Sequence, residues 1–309
     1  MTTFDDLEAM VREQMDTFGV NPGPITWLTQ DLNPLDTSMG LATPQSGNIS
    51  AGVIEVGKEQ IYIMRHDKTN VGGSNTSILP VNGRGWNGTK QFISPDNPVP
   101  AGTIVRIQPM WTAKQIRTAI TSTISRVYPT LFGVKQYTFD FVSSQWQYNL
   151  PAEVERVLNV RAQSTAAHLP WYNLDSWKFS QVNDPAMPNS LTLQDYPPPG
   201  QPCIVSYATR PSVDPDSDTD VWEQTGLNPS FLQGILFGAV AFLLSFQDAA
   251  RAHLGTTQLN IGNENAAQRL GTSTSLAAQL EQRFQQELLA EQKRQRQTWP
   301  PVVSFTRGN

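Results

Sequence analysis

The chain has 309 residues, enough for one large or two small domains. Hydrophobic residues make up 39% and charged residues only 16%, below the roughly 25% of an ordinary soluble domain, which excludes a disordered polyelectrolyte and fits a surface covered by partners. A net charge of -5 argues against a nonspecific nucleic-acid binder, and a single cysteine, Cys203, excludes an intrachain disulfide framework and a cysteine-built metal site, pointing to a reducing cytosol.

The start, MTTFDDLEAM, is acidic and amphipathic and reads as no secretory signal. Phe4, Leu7, Met10, Val11, Met15 and Phe18 recur at helical spacing, with Asp5, Asp6 and Glu8 placed where a helix N-terminus favours them. Gly19 and Pro22 end this first helix. From Ile25 to Pro109 the texture turns to short extended pieces. Gly52–Val56 and Gln60–Met64 read as a hairpin across Gly57-Lys58, Ser77–Val81 and Gly102–Ile107 as further strands, and Asn87-Gly88 as a type I′ hairpin turn. The expectation is a small antiparallel β domain or barrel.

Trp111–Leu131 returns to helical spacing through Ile116, Ile120, Ile124, Val127 and Leu131. Strand-like runs follow at Tyr137–Val142, Gln145–Leu150 and Val154–Arg161, and again at Ile204–Thr209, whereas 162–201 gives little periodic signal. Pro211–Asp220 is a polar connector. The stretch Pro229–Leu254 is apolar on nearly every face from Phe231 to Phe246, which predicts a helix buried among others. The apolar run Phe231–Phe246 is shorter than the roughly 18–20 apolar residues of a bilayer crossing, and Gly234, Gly238, Ala239 and Ala241 permit close approach of neighbours. Asn228-Pro229 marks its start. A polar loop is expected over Gly255–Gly271 and a last helix over Ser275–Gln297, with Leu276, Leu280, Phe284 and Leu288 on one stripe and Lys293, Arg294 and Arg296 at its end.

These elements give an α+β chain: a four-helix bundle (1–22, 110–132 and 228–297) with two inserted antiparallel β-rich modules (23–109 and 133–227) and an extended C-terminal tail (298–309).

Little in the sequence looks like catalytic chemistry. Gly83-x-Gly85-x-x-Gly88 matches a dinucleotide-binding pattern by letter, but no helical period follows it. Asp214, Asp216, Asp218 and Asp220 open like a calcium loop, yet Thr219 and Thr225 stand where glycine and glutamate are needed. His66, His168 and His253 lie outside metal-ligand spacing. Neither a catalytic residue nor a cofactor or metal site is assigned. Trp86, Trp111, Trp146, Trp171, Trp177 and Trp222 fit a protein core better than a sugar-binding face. The clearest binding signal is the tail, where Trp299, Pro300, Pro301, Val302, Val303 and Phe305 form an apolar, pre-extended run.

Gly83-Arg84-Gly85-Trp86-Asn87-Gly88-Thr89 followed by Pro100-Ala101-Gly102-Thr103-Ile104-Val105, after the strand pair Gly52–Met64, resembles the signature of head–tail adaptor (connector) proteins of tailed bacteriophages. Tyr148–Val157 resembles a further segment of that family, and the two late helices and proline-containing tail follow in the same order; residues 162–201 match nothing in it, and Ser94–Pro100 lacks a histidine often present there. The resemblance implies a non-enzymatic virion protein of the neck, assembled in the host cytoplasm, with no membrane contact. It implies a ring of twelve copies beneath the portal, with DNA passing nonspecifically through the lumen; the acidic net charge of each copy fits a lumen that lets DNA slide. It also implies portal contact through Lys293, Arg294, Arg296, Trp299, Pro300, Pro301, Val302, Val303 and Phe305, and contact with a tail-side partner or neighbouring subunit through the hairpin Arg84, Gly85, Trp86, Asn87, Gly88 and Thr89. The alternatives are a tail-tube or neck-completion protein, and a carbohydrate-binding or hydrolytic virion protein.

Overall fold

The structure, a computed structural model, describes residues 1–18, 25–33, 36–42, 51–66, 74–78, 83–89, 98–164, 171–181, 189–217, 219–258 and 264–300. The chain divides into two compact units. One comprises Asp5–Ile120 and Ala239–Ala277; the other comprises Met1–Phe4, Thr121–Gly238 and Ala278–Asn309.

In the first unit, helix α1 (Phe4–Thr17) precedes six antiparallel strands: β1 (Ile25–Trp27), β2 (Ser38–Leu41), β3 (Gly52–Val56), β4 (Glu59–His66), β5 (Ser74–Ile78) and β6 (Ile104–Ile107). Their order is β1-β6-β3-β4-β5-β2. The sheet closes on itself, because Leu28 bridges Leu41, the Thr29 amide donates to the Gly40 carbonyl at 3.0 Å and the Ala42 amide to the Trp27 carbonyl at 2.9 Å. Strand alternation then sends Ile54, Val56, Ile61, Ile63, Val105 and Ile107 into one shared core with Leu28, Leu32, Met39 and Leu41. The expected hairpin forms across Gly57-Lys58, where Gly57 takes φ 59°.

On the outer face of β3, Glu55 is fully buried. Its carboxylate accepts from Arg12 Nη2 of α1 at 2.7 Å and from the Ala113 amide at 2.5 Å, at the start of helix α2 (Ala113–Arg126). Arg12 also donates to Glu8, and Arg117 to Glu8 and Asp5. Burial raises the Glu55 carboxyl above its ordinary value, opposed by the Arg12 guanidinium and the Ala113 amide. This charge cluster ties both helices to the barrel wall.

The second unit holds two further sheets. A four-stranded one is ordered β10-β9-β13-β7, from β7 (Gly133–Asp140), β9 (Arg156–Gln163), β10 (Trp171–Asn173) and β13 (Pro202–Thr209). A three-stranded one is ordered β11-β12-β8, from β8 (Gln147–Asn149), β11 (Trp177–Ser180) and β12 (Ser190–Leu193). They share a core of Phe141, Tyr148, Leu150, Val154, Val157, Val160, Leu191, Leu193 and Val205. Asn189 clamps the Leu150–Val154 turn: its carbonyl accepts from the Leu150 amide at 2.7 Å and its Nδ2 donates to the Val154 carbonyl at 2.9 Å. Tyr207 donates its hydroxyl to Glu153 at 2.7 Å. Cys203 is buried, and burial with nearby Asp140 pushes its thiol up to about 11.

A short helix α3 (Val221–Thr225), capped by Asp220, precedes α4 (Leu232–Gln258) and α5 (Glu264–Thr298). The Asn228 side chain accepts from the Ser230 amide at 3.0 Å as the start signal requires, and a 3₁₀ turn, Pro229–Phe231, leads into α4. Within this unit a Cβ at Gly238 would stand 2.5 Å from Thr123 and 2.9 Å from the Phe284 ring, so only glycine lets the three meet. No helix among the described residues is long and apolar enough to cross a membrane.

The four-helix bundle is therefore corrected. Among the described residues there are five α-helices and thirteen strands in three antiparallel sheets. The strands build hydrophobic cores of their own, so they are principal layers of a mixed α+β fold and not extrusions from a bundle. Two local expectations change as well. Most of the polar stretch 255–271 is helical, with α4 running to Gln258 and α5 starting at Glu264, and the aperiodic 162–201 contains β10, β11 and β12.

Candidate functional site

Two surfaces carry the residues singled out in the sequence, and each is described within its own unit. The 83–89 segment is not a hairpin. Gly85 and Asn87 both adopt left-handed backbone, at φ 62° and 56°, and Trp86–Gly88 forms one 3₁₀ turn. A type I′ turn requires positive φ at both Asn87 and Gly88, and Gly88 does not supply it. The segment instead lies along β4 where β5 has ended: the Tyr62 amide donates to the Gly83 carbonyl at 2.7 Å and the Gln60 amide to Thr89 Oγ1 at 3.1 Å, satisfying otherwise free strand groups.

The side chains complete the clasp. Arg84 grips Glu59 with two parallel bonds, Nε to Oε1 at 2.8 Å and Nη2 to Oε2 at 2.9 Å, and the Gly85 amide adds a third at 2.9 Å. Arg84 Nη1 also donates to the Asn33 carbonyl at 2.8 Å. Glu59 is 1% exposed. The Tyr62 and Trp86 rings meet with centroids 4.8 Å apart, Asn87 donates to Gln60 at 2.9 Å, and Lys114 donates to the Asn87 carbonyl at 3.0 Å. Arg84 is thus committed inside the chain, and Asn87 is the exposed side chain of the segment.

The second surface is the end of α5. Lys293 and Arg296 are exposed, while Arg294 is held by Glu291 and Ser230. Gln295 donates to the Phe132 carbonyl at 2.6 Å and accepts from the Phe132 amide at 3.3 Å, and Gln292 donates to the Thr130 carbonyl at 3.3 Å. These bonds fix the helix against the segment that follows α2. Beside them opens a cleft of about 710 Å³, lined by Tyr128, Phe132, Glu155, Arg156, Arg296 and Trp299 among others. Arg156 lies over the Phe132 ring at 5.0 Å. A hydrogen bond with Glu155 raises the Tyr128 hydroxyl above its ordinary value. Trp299 is half-buried and Pro300 exposed. Pro301, Val302, Val303 and Phe305 lie outside the described residues, as do His168 and Asp218.

Of the six tryptophans weighed for a sugar-binding face, Trp111 is 8% exposed and Trp146 is 60% exposed, the latter edge-on to Tyr196 at 5.6 Å. Trp86 and Trp111 belong to the first unit and the other four to the second. Among the described residues there is no group of three or more histidine, cysteine, aspartate or glutamate side chains able to hold a metal ion. Composition and periodicity gave no sign of the Arg12–Glu55 cluster or the α5 cleft. No protein-family model matches the chain, and neither does any curated protein.

Proposed function

We propose that this chain is a head–tail adaptor of a tailed bacteriophage, acting by assembly and not by catalysis. In this reading it forms a ring, of about twelve copies by the resemblance, between the portal and the next neck or tail protein. The observation that carries the reading is the meeting of two sequence motifs separated by some twenty residues. Glu59 and Tyr62 of the strand pair hold Arg84, Trp86 and, through the Gln60 amide, Thr89 of the second motif. A signature whose members grip one another has a physical reason to occur as a set. The end of α5, with exposed Lys293 and Arg296 and a tail of proline and valine beyond, supplies charge and an apolar strip suited to a portal partner. A net charge of -5 per chain makes any ring of copies acidic as a whole, which fits a lumen that does not hold DNA by its phosphates.

The test is co-sedimentation with portal, followed by negative-stain microscopy of the particles. The full chain is expected to add a ring to the portal. A chain truncated after Trp299, which keeps α5 and its cleft contacts, is expected to stay folded and to lose portal binding at least tenfold. Normal docking of the truncated chain refutes the tail assignment. Binding to tail proteins but not to portal favours a tail-tube or neck-completion role.

A further inference from the structure

We propose that the cleft beside the end of α5 is a docking site for an extended, acidic peptide segment of a partner protein, held by arginines that stand on its aromatic walls. Three segments of one unit bring these side chains together. Arg156 opens β9 opposite Ala208 of β13, and Arg210 follows two residues after Ala208, so both belong to the same end of the four-stranded sheet. Helix α5 supplies Arg296, and its Gln292 and Gln295 are bonded to the Thr130 and Phe132 carbonyls. Arg156 lies over the Phe132 ring at 5.0 Å and Arg210 over the Tyr128 ring at 5.7 Å, and both rings line the cleft. A guanidinium lying on a ring keeps its edge of N–H donors for a second partner.

Charge selects the occupant. Elsewhere in this unit Arg126, Lys135 and Arg294 pair with Glu281, Glu153 and Glu291. Among the described residues Arg156, Arg210 and Arg296 form no ion pair, and all three are exposed. Glu155, the carboxylate in the cleft wall, already accepts from the Tyr128 hydroxyl. Three uncompensated cations at one cleft of an acidic chain call for carboxylates from outside, which arginine binds with two parallel bonds. The rest of the site suits the body of a peptide. Its volume of about 710 Å³ is that of a ligand site, and the Phe132, Tyr128 and Trp299 rings offer apolar walls. Gln292 and Gln295 each keep an amide N–H beyond the one that fixes the helix, placed for main-chain carbonyls. A nucleic acid carries a phosphate at every step, against both Glu155 and the net charge of -5, so the peptide is favoured over it. The inference goes beyond the adaptor reading, because the site takes an acidic segment whatever protein carries it.

The test is isothermal calorimetry of the full chain with a short unlabelled peptide that alternates aspartate and leucine around a central proline. A dissociation constant of about 0.1 mM or tighter is expected, weakening about fivefold or more between roughly 0.05 M and 0.5 M salt. Arg156→Gln with Arg296→Gln, both at exposed positions, should weaken binding on the order of tenfold, and asparagine in place of aspartate in the peptide should do the same. Arg283→Gln alters another ring-stacked arginine, about 20 Å earlier along α5, and should leave binding unchanged. Absence of binding overturns the site, as does a double variant that binds like the parent. An equal loss in Arg283→Gln overturns it too, since general charge attraction then suffices. Tighter binding of oligothymidylate than of the peptide overturns the peptide occupant in favour of single-stranded nucleic acid. None of these readouts involves the portal, so the adaptor reading stands or falls separately.

Discussion

Replacing Arg84 with alanine strips Glu59 of both guanidinium bonds while leaving its carboxylate in a site that is 1% exposed. Breaking a buried pair from one side costs about 3–5 kcal/mol, because the remaining charge is uncompensated. The Gly85 amide still donates to Glu59 at 2.9 Å, which argues for the lower end, about 3 kcal/mol. For a unit of about 150 residues that corresponds to a fall in melting temperature of about 6–12 °C. Thermal and urea unfolding followed by circular dichroism measure it. The decisive comparison is Glu59→Met with Arg84→Met, which removes both charges at similar volume while the Gly85 amide and the Asn33 carbonyl lose these partners. That double variant should lose less stability than Arg84→Ala alone. A single variant costing under about 1 kcal/mol, or a double variant worse than the single one, refutes the account of Glu59 as a buried charge held by a fork.

Tyr207→Phe removes the 2.7 Å bond to Glu153, whose side chain is 43% exposed, so solvent limits the loss to about 1 kcal/mol. Burial alone would raise the Glu153 carboxyl, but the Tyr207 and Lys135 hydrogen bonds hold it below its usual 4.5. Its contribution is therefore in place above about pH 4.5 and fades as pH falls through the lower folded value, so the gap between Tyr207→Phe and the parent in urea melts should narrow on acidification; a gap constant down to pH 3 contradicts this. Gly133→Ala would set a Cβ 2.0 Å from the Thr225 carbonyl oxygen, which is backbone and cannot swing away, so a loss of about 2 kcal/mol or more is expected in the same melts, and a neutral result would mean the α3 junction yields freely.

Where apolar residues alternate or recur cleanly, the elements were legible. Phe4, Leu7, Val11 and Met15 are all buried on α1, and Ile116, Ile120 and Ile124 on α2, as their spacing requires. Ile54 and Ile61 face each other across the Gly57 turn, as an alternating hairpin must place them. The middle of the second unit, 162–201, was hidden because its strands are short: β10 has three residues and β11 and β12 four each, too few for an alternation to stand out. Early α5 carries few apolar residues, with Leu270 alone among alanines and polar groups, so no stripe announced it. Charges were the deepest blind spot. Glu55 and Glu59 look like outward positions of a half-exposed hairpin, and partners remote in sequence, Arg12 with the Ala113 amide and Arg84 with the Gly85 amide, make their burial tolerable. The Arg84–Thr89 motif was legible as a unit but not in shape, because Asn87-Gly88 turns one way in a free hairpin and another when β4 offers unpaired amides beside it.

The bridge between Leu28 and Leu41 joins the first strand of the barrel to the last, leaving no open flank among its described strands where a foreign backbone could zip on. Any neighbour that meets this wall must therefore grip it by side chains, among them Trp27 opposite Ile104, each half uncovered to solvent. Contacts of that kind can slide and re-register without either partner unfolding.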